Sequence, residues 1–534
     1  MTTLATAAES FTEDERRILQ PYFTNTDRHI FALTNLPETV KGALFARYSR
    51  SAKSLRRLFL DEFAGDLAGA SVETATVGLA RAEKLYAKVF NEYGDDSVAQ
   101  LGGAHIACEY VSNVLTKALE WGRLMAYLEQ STRYVPYTDT LHGRWRYHVP
   151  SELGGSLREK YVSTMDAAFS TYASLIDGMQ AHFAARYPRQ PQDSEGVHRA
   201  AIRAKALDTL RGMLPAATQS NVGLYGTGQA YEALLLRLRA SPLEELRACG
   251  DQMLVELRKL IPAFLTRVDQ PDRGGRWSEY FATNRDAVAN VAASILDGTE
   301  PEPRDEVTLT DFDPDGEVKI VAAAMYAGSG LPDDQLLAAA RRMTPDQRAA
   351  ILRAYVGDRG NRRHRPGRAF ERTSYRFDVL TDYGAFRDLQ RHRLLTLEWQ
   401  PLSTRHGYTE PDALGEAGVG FLDGWTRTMD ASAELYEAMR SAGLDAVAPY
   451  AVAMAYRVRF YMDMNAREAM HVIELRTAPQ GHPAYRRVCQ RMHRLIAERA
   501  GHKAVADAMS FVDHSEVELE RLQAERALEK KRQA

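Results

Sequence analysis

Cysteine is scarce in this 534-residue sequence, and its scarcity excludes two classes of protein. The chain has Cys108, Cys249 and Cys489, and no two of them form a CxxC pair. A disulfide scaffold and a thiolate zinc site both need more cysteines at closer spacing. Thiols this sparse favour a reducing compartment, and the sequence predicts a cytoplasmic location.

Long apolar runs and an excess of one charge are also lacking. No apolar run reaches the roughly 18 residues that a membrane-spanning helix needs. The first residues, MTTLATAAESFTEDERR, lack a basic stretch followed by an apolar one, so we identify no secretory signal. Because 68 Lys and Arg face 71 Asp and Glu, the net charge is −3. We therefore expect neither nucleic acid nor a membrane as a partner.

Several motifs of catalysis and phosphate binding are missing as well. The sequence has no GxGxxG before a helix, no GxxxxGK[ST], no HExxH and no GxSxG. His482, His493 and His502 lie near one another, but their spacing does not place them on one helix face. We predict no metal site.

The residues that are present favour helices with a small amount of sheet. Apolar residues recur at spacings of three and four in long segments rich in Ala, Leu, Arg and Glu. Alternation of apolar and polar residues predicts strands at 145–149 and 375–379. The predicted helices cover 98–119, 156–184, 199–213, 243–262, 415–440 and 484–527.

A stretch dense in Pro, Gly and Asp divides the chain into two halves. It covers 268–316 and predicts an irregular linker, with one short helix around 284–297. The predicted domains are therefore a first unit at 1–267, the linker, and a second unit at 317–534 that ends in a charged helix.

The two halves carry the same features in the same order. A basic segment leads to Ser-Thr-Arg in WGRLMAYLEQSTRY at 121–134 and in RHRLLTLEWQPLSTRHGY at 391–408. A long predicted helix follows each time, and then an apolar segment leads into an Arg-bearing helix, at 213–239 and at 448–476. This order predicts a tandem duplication. We expect an α+β, helix-rich fold in which each copy packs a small antiparallel sheet against long helices.

The triplet Arg391-His392-Arg393 offers two guanidinium groups and an imidazole between apolar neighbours. Arginine pairs with phosphate or carboxylate through two parallel hydrogen bonds, and imidazole donates or accepts one. The triplet is a candidate ligand-binding segment. A solvated basic turn of a helix is the alternative.

A second candidate is Glu129-x-Ser131-x-Arg133. If 128–134 is extended, the three side chains share one face, where the hydroxyl and the guanidinium jointly hold a phosphate. A surface strand edge with one ion pair explains the same pattern.

Two further segments place arginines at helix ends. In a helix over 465–476, Asn465 and Arg476 share a face, and Arg467 and His471 form a second polar stripe. The alternative is an amphipathic helix with a wide polar face. Arg211 precedes Leu-Pro at a helix end, where a surface arginine is also favoured by the helix dipole.

Taken in order, these segments resemble the flavin-dependent thymidylate synthases. That family has an Arg-His-Arg signature, a Glu-x-Ser-x-Arg-Tyr segment, an Arg-x-x-Leu-Pro segment and an Asn-x-Arg helix that ends in another arginine. The second half matches at 391–393 and 465–476, and the first half at 129–134 and 211–215. GDDSV at 94–98 resembles the family's Gly-His-x-Ser segment, with Asp in place of His.

The departures from the family pattern are complementary. The first half has Trp121-Gly122-Arg123 in place of the triplet and lacks the Asn-x-Arg pair. In the second half, Ser403 and Arg405 lie two residues too far from the triplet, Pro401 interrupts, and no Arg-x-x-Leu-Pro occurs. Each half has kept what the other lost. The family forms homotetramers with shared nucleotide sites, so we expect one composite site, in one chain or across a homodimer that acts as a pseudo-tetramer.

The resemblance implies reductive methylation of dUMP to dTMP, with FAD and NADPH supplying the hydride and methylenetetrahydrofolate the carbon. It implies that Arg476 is catalytic, beside a uracil carbonyl. The implied substrate-binding residues are Glu129, Ser131, Arg133, Arg211 and Arg391, and the implied flavin-binding residues are His392, Arg393, Asn465, Arg467 and His471.

Two alternatives stay open. One is a related flavoprotein that acts on another pyrimidine nucleotide, which the altered signature and the insertion near Pro401 favour. The other is a degenerate, non-catalytic nucleotide-binding scaffold.

Overall fold

Helices dominate the computed structural model, which describes residues 9–28, 30–48, 51, 53–64 and 100–533. The described helices are α1 (Glu13–Leu19), α2 (Glu38–Tyr48), α3 (Leu55–Glu62), α4 (Asn113–Leu119), α5 (Gly155–Arg186), α6 (Glu195–Leu210), α7 (Gly228–Arg239), α8 (Glu244–Leu257), α9 (Arg276–Ile295), α10 (Gly316–Ser329), α11 (Asp333–Arg342), α12 (Pro345–Val356), α13 (Tyr383–Leu389), α14 (Ala413–Ala417), α15 (Val419–Ser441), α16 (Ala466–Arg476), α17 (Pro483–Glu498), α18 (Lys503–Ala508) and α19 (Leu522–Gln533). The described strands are β1 (Gly103–Ser112), β2 (Met125–Glu129), β3 (Gln219–Thr227), β4 (Val307–Phe312), β5 (Ser374–Asp382), β6 (Thr396–Trp399) and β7 (Arg457–Asn465).

By compactness the chain divides into two units, each built from separate stretches. Unit 1 consists of Met1–Glu109, Leu124–Glu129 and Asn221–Gly298, and unit 2 of Tyr110–Arg123, Gln130–Ser220 and Thr299–Ala534. Unit 2 therefore includes residues from both predicted copies. Compactness does not test ancestry, so the boundaries of the copies stay a prediction.

One order of elements occurs twice along the chain. A strand, a seven-residue helix, a short strand, a long helix, a strand and a helix follow one another as β1, α4, β2, α5, β3 and α7, with α6 inserted. The same order returns as β5, α13, β6, α15, β7 and α16, with α14 inserted. The sheets also agree, because the strand order is β1-β3-β2 in one and β4-β5-β7-β6 in the other, with antiparallel pairs throughout the second. The predicted fold class is confirmed.

Equivalent residues begin equivalent helices in the two copies. Ser112 and Asp382 cap α4 and α13 by accepting hydrogen bonds from backbone N–H groups three residues later. Thr227 and Asn465 cap α7 and α16 in the same way. These caps align the two copies residue by residue.

The alignment shows that one backbone segment of each copy pairs with its own equivalent. Pro215 lies 12 residues before Thr227, Ala453 lies 12 residues before Asn465, and the two form an antiparallel bridge. Around them, residues 212–217 exchange main-chain hydrogen bonds with 450–455. Antiparallel pairing of equivalent residues is what a local two-fold axis produces. This pairing lies inside unit 2.

The strand predictions have different outcomes. Residues 375–379 lie in β5, where Tyr375, Phe377 and Val379 are fully buried, as the alternation predicts. The strand at 145–149 is wrong, because only an isolated bridge from Tyr147 to Thr218 forms there. The segment has no partner strand among the described residues.

The helix predictions hold for long periodic segments. The predicted helices at 156–184, 199–213, 243–262 and 415–440 correspond to α5, α6, α8 and α14–α15. Residues 484–527 divide into α17, α18 and α19.

The helix predicted at 98–119 is wrong for most of its length. Residues 103–112 form β1, and the described helix of this region begins only at Asn113. Gly102 directly precedes β1 and Gly103 is its first residue, and both glycines disfavour a helix there.

In the predicted linker the helix is longer than expected. The helix α9 occupies 276–295 and has no buried residue, whereas a short helix around 284–297 was expected. The strand β4 at 307–312 joins the four-stranded sheet of unit 2. Within the described ranges, no helix is both long enough and apolar enough to cross a membrane.

Candidate functional site

Four arginines that are distant in sequence meet around two buried aspartates in unit 2. They come from the turn after β2, the end of α6, the loop after α13 and the last residue of α16, and the aspartates from α6 and α13. We call this group the arginine cluster, and its members are Arg133, Arg211, Arg391, Arg476, Asp208 and Asp388.

Asp208 holds Arg133 through a dense set of hydrogen bonds. The Arg133 Nε donates to both carboxylate oxygens at 2.8 and 2.9 Å, and Nη2 donates to Oδ2 at 2.6 Å. The remaining nitrogen, Nη1, donates to the Tyr485 hydroxyl at 3.2 Å. The ring of Tyr485 lies 5.4 Å from the Arg476 guanidinium carbon. Tyr485 therefore links two arginines of the cluster.

Asp388 lies among the other three arginines. Its Oδ1 accepts a hydrogen bond from Arg391 Nη2, and Arg476 Nη1 lies 3.6 Å from the same oxygen. Arg211 Nη1 lies 3.9 Å from Oδ2. The main-chain oxygen of Asp388 accepts a further bond from Arg476 Nη2. One carboxylate thus gathers three guanidinium groups.

Arg211 also lines a cavity of about 360 Å³, and one of its donors has no partner among the described residues. The residue is 4% exposed, and its Nη2 makes no hydrogen bond to the described residues. Trp425 lines the same cavity, is 1% exposed, and its Nε1 also lacks an acceptor. Unpaired buried donors are costly. The arrangement indicates a ligand that brings acceptor oxygens.

Charges in the cluster are strongly coupled. Burial alone would raise the pKa of Asp388, but Arg391, Arg476 and Arg211 hold it far below its usual value. Burial would also raise the pKa of Asp208, but the charge of Arg133 has the larger effect and lowers that pKa. Both carboxylates are ionised at pH 7.

A neutral histidine borders the cluster. Burial and the nearby Arg211 lower the pKa of His482 to about 3. Its Nδ1 accepts a hydrogen bond from the backbone N–H of Ala484 at 3.2 Å and so caps α17. At neutral pH this side chain adds no charge to the cluster.

His392 adjoins the cluster on the side of α16. Arg476 Nε donates to His392 Nε2 at 2.9 Å, so the proton of the neutral ring lies on Nδ1. Burial, followed by the charge of Arg476, lowers the pKa of this histidine well below its usual value. The Nδ1 lies 3.8 Å from Glu468 Oε1, and the ring centre lies 5.5 Å from that of His471.

His392, Glu468 and His471 are close enough together to hold a metal ion, since their ligand atoms lie within 4.8 Å of one another. Two features oppose this. The Nδ1 of His392 carries the proton. Its other nitrogen, Nε2, accepts a hydrogen bond from the positively charged Arg476. The absence of a metal therefore stays our prediction.

The other residues predicted to bind flavin lie on α16, at its N-terminal cap and in the loop after α13. Asn465 caps α16 through its side-chain oxygen, at 2.9 Å from Glu468 N. Arg467 Nε donates to the Pro366 carbonyl at 2.9 Å. Arg393 is exposed. His471 is half-buried, and burial followed by the charge of Arg365 lowers its pKa to about 4.

Sequence reasoning missed a basic segment that the structure places beside α16. Arg365 acts on the pKa of both Glu468 and His471, and Arg362 on that of His471. Burial nonetheless raises the pKa of Glu468 to about 7. The run RGNRRHRPGR at 359–368 was the available signal. Asp208, Asp388 and Tyr485 were also missed, and no motif marks them.

The Glu129 segment departs from its predicted conformation. The strand β2 ends at Glu129, and the chain then turns, because Ser131 O accepts hydrogen bonds from Tyr134 N and Val135 N. An extended 128–134 is therefore wrong. The Ser131 hydroxyl accepts from Arg133 N at 3.2 Å, which stabilises the turn. Glu129 is buried and belongs to unit 1.

The segment GDDSV at 94–98, which resembles another part of the family pattern, lies outside the described residues.

Aligned on the helix caps, the described residues of the other copy hold no charged cluster of this kind. Trp121 takes the place of Arg391, and its indole nitrogen donates to Leu397 O at 3.0 Å. The equivalents of Asp388, Arg476, Arg211 and Asp208 are Ala118, Leu238, Pro449 and Ala446. Among the described residues, the two copies together supply one arginine cluster.

Comparison with known proteins identifies the family. The model of the family described as thymidylate synthase complementing protein matches residues 43–263 and 308–500. The chain belongs to this family. Two matched segments agree with two tandem units and with the repeated order of strands and helices.

Relatives match over nearly their full length. A protein of Chlamydia muridarum named UPF0159 protein is 37% identical over 522 residues, which cover 96% of this chain and 98% of the relative. A UPF0159 protein of Chlamydia pneumoniae is 35% identical, with 97% and 98% covered. UPF0159 protein Ta1429 of Thermoplasma acidophilum is 28% identical, with 91% and 97% covered.

A solved structure is also similar. It is that of the UMP/dUMP methylase PolB from Streptomyces cacaoi bound with 5-Br dUMP, at 21% identity and a TM-score of 0.30. The similarity covers 39% of this chain and 97% of that one. A TM-score this low carries no weight for function.

The buried neutral His482 predicts how stability changes with pH. Its pKa is about 3 when folded and near 6.5 when unfolded, so its contribution is complete above pH 6.5 and is lost as the pH falls. Asparagine keeps the helix cap but does not titrate. Between pH 7 and pH 5 we expect the free energy of unfolding to fall less in H482N than in the unaltered chain, by roughly 1–2 kcal/mol. Urea unfolding at both pH values measures this, and parallel losses would contradict it.

Proposed function

We propose that the arginine cluster binds the phosphate of a pyrimidine nucleoside monophosphate, and that the chain methylates dUMP reductively to dTMP. The observation that carries the proposal is the convergence of four arginines from two copies on two buried carboxylates, with an unpaired Arg211 donor. Planar guanidinium groups match phosphate oxygens through paired, charge-assisted hydrogen bonds. Family membership supports the same substrate class.

In this proposal each arginine has its own task. Arg211 and Arg391 hold the phosphate, with Ser131 and Arg133 beside them in the same unit. The role of Glu129 in accepting from a ligand hydroxyl or amide stays a prediction. Arg476 lies at the end of α16 and is held by Asp388 and His392, so its guanidinium is oriented before the ligand arrives. There it stabilises negative charge on the uracil ring as C5 becomes nucleophilic.

The basic surroundings of α16 fit a dinucleotide cofactor. Arg362, Arg365, Arg393 and Arg467 surround the half-buried His471 and the buried Glu468. This set of donors suits the pyrophosphate of FAD, and we assign His392 and Asn465 to its polar groups. Bound FAD, reduced by NADPH, would supply the hydride, and methylenetetrahydrofolate the carbon. The protein contributes placement and electrostatic field.

We further propose that the chain works in the cytoplasm as a homodimer that reproduces the four-unit arrangement of its family. With one arginine cluster per chain, such a dimer has two sites.

Removal of the unpaired arginine tests nucleotide binding. We expect R211A to weaken dUMP binding by about 10- to 100-fold, because a charge-assisted hydrogen bond contributes about 1.5–3 kcal/mol. Isothermal titration calorimetry measures the affinity and the stoichiometry, for which we expect one site per chain. The control R199A lies on the same helix, where Arg199 makes an exposed ion pair, and we expect no change. Equal affinities of R211A and the unaltered chain would contradict the proposal.

The absorbance of the purified protein tests the cofactor. We expect visible flavin bands and thymidylate formation from dUMP. A yellow protein that methylates a different uridine nucleotide would favour the related flavoprotein. A colourless protein that takes up no FAD would favour the non-catalytic scaffold.

A mixing experiment tests where the site is assembled. All four arginines meet within unit 2 of one chain, so a chain with R211A and a chain with R391A each lack one arginine of their own cluster. We expect a mixture of the two to recover no activity. Recovery towards a quarter or more of the unaltered activity would show that sites form across chains.

A further inference from the structure

The position of Asp388 is unusual for a site that binds an anion. An ionised carboxylate contacts Arg211 and Arg391, which are proposed to hold the phosphate, and Arg476, which is proposed to lie beside the base of the same ligand. The side chain is 12% exposed, so water screens these contacts little. A carboxylate that only repelled the ligand would weaken binding there, so its presence needs another explanation.

The charges of the cluster give that explanation. Arg133 is paired with Asp208 through three hydrogen bonds and brings no net charge. Three guanidinium groups around one carboxylate then leave a charge of +2. A phosphomonoester carries nearly −2 at neutral pH. The cluster is therefore neutralised by one phosphomonoester.

We propose that Asp388 is a counter-anion built into the phosphate site, and that its charge makes the site selective for monophosphates over di- and triphosphates. The inference rests on the proposed function for the location of the phosphate. Without a ligand, Asp388 keeps three like charges together. With a ligand bound, the same carboxylate limits how much negative charge the site accepts. A longer phosphate chain carries more negative charge than the +2 of the cluster can balance.

The substitution D388N removes the charge and keeps the shape of the side chain. We expect the full-length variant to bind inorganic phosphate at least tenfold more tightly, because a nearby like charge is gone. Pyrophosphate carries more negative charge, so its gain in affinity is larger. The ratio of the pyrophosphate affinity to the phosphate affinity therefore rises by about threefold. Calorimetric titration of both anions into both proteins measures this.

The control is D378N. Asp378 also pairs with an arginine, Arg459, but makes no contact with the cluster among the described ion pairs and hydrogen bonds. We expect both anion affinities to stay unchanged in this variant. A gain of the same size in D378N would assign the effect to overall charge and overturn the inference.

Two outcomes separate this inference from the proposed function. If D388N binds phosphate equally or more weakly while the unaltered chain binds dUMP, the counter-anion role is wrong and the proposed function stands. If the unaltered chain binds neither dUMP nor phosphate, both fail. A structural role alone would not shift the ratio of the two anions.

The unaltered chain offers a test that does not depend on how the variant folds. Its affinity should fall in the order dUMP, dUDP, dUTP. An affinity that rises along this series, as expected for an arginine cluster without a counter-anion, would overturn the inference.

Discussion

The antiparallel pairing of 212–217 with 450–455 is the constraint on which the candidate site depends. Met454 N donates to Leu214 O, and Met454 O accepts from the backbone N–H of Gly384 at the start of α13. One residue thus ties the segment after Arg211 to the helix that carries Asp388. Main-chain hydrogen bonds of this kind are insensitive to most side-chain changes. Arg211 and Asp388 therefore stay together when neighbouring side chains are changed.

The site is also pre-organised by pairs that are costly to break. A buried ion pair contributes little net stability, but loss of one partner leaves an uncompensated charge and typically costs 3–5 kcal/mol. Arg133 with Asp208, and Asp388 with its three arginines, are of this type. Guanidinium groups held in this way do not need to be ordered when a ligand arrives, which lowers the entropic cost of binding.

The sequence indicates the arginines of the cluster better than it indicates the residues that hold them. Arg211, Arg391 and Arg476 were recognisable because they belong to spaced motifs, and β5 was recognisable from its alternation. Asp208 and Asp388 lie in ordinary helical segments, and their role appears only when distant segments meet. The strand β1 was taken for a helix because Ala, Leu and Glu around it suit a helix, whereas sheet pairing decides its conformation. Residues 145–149 show the reverse error, since alternation without a partner strand makes no sheet.

Covalent fusion changes what evolution can do with a symmetric pocket. In an assembly of identical subunits, each mutation appears in every site, so a residue needed once must be retained everywhere. Here Trp121 occupies the position that Arg391 holds in the second copy. Its indole nitrogen donates to Leu397 O, and its ring packs against Trp399. The position that lacks the arginine is thereby free to take on a packing role beside the cluster, a division of labour that is closed to identical subunits.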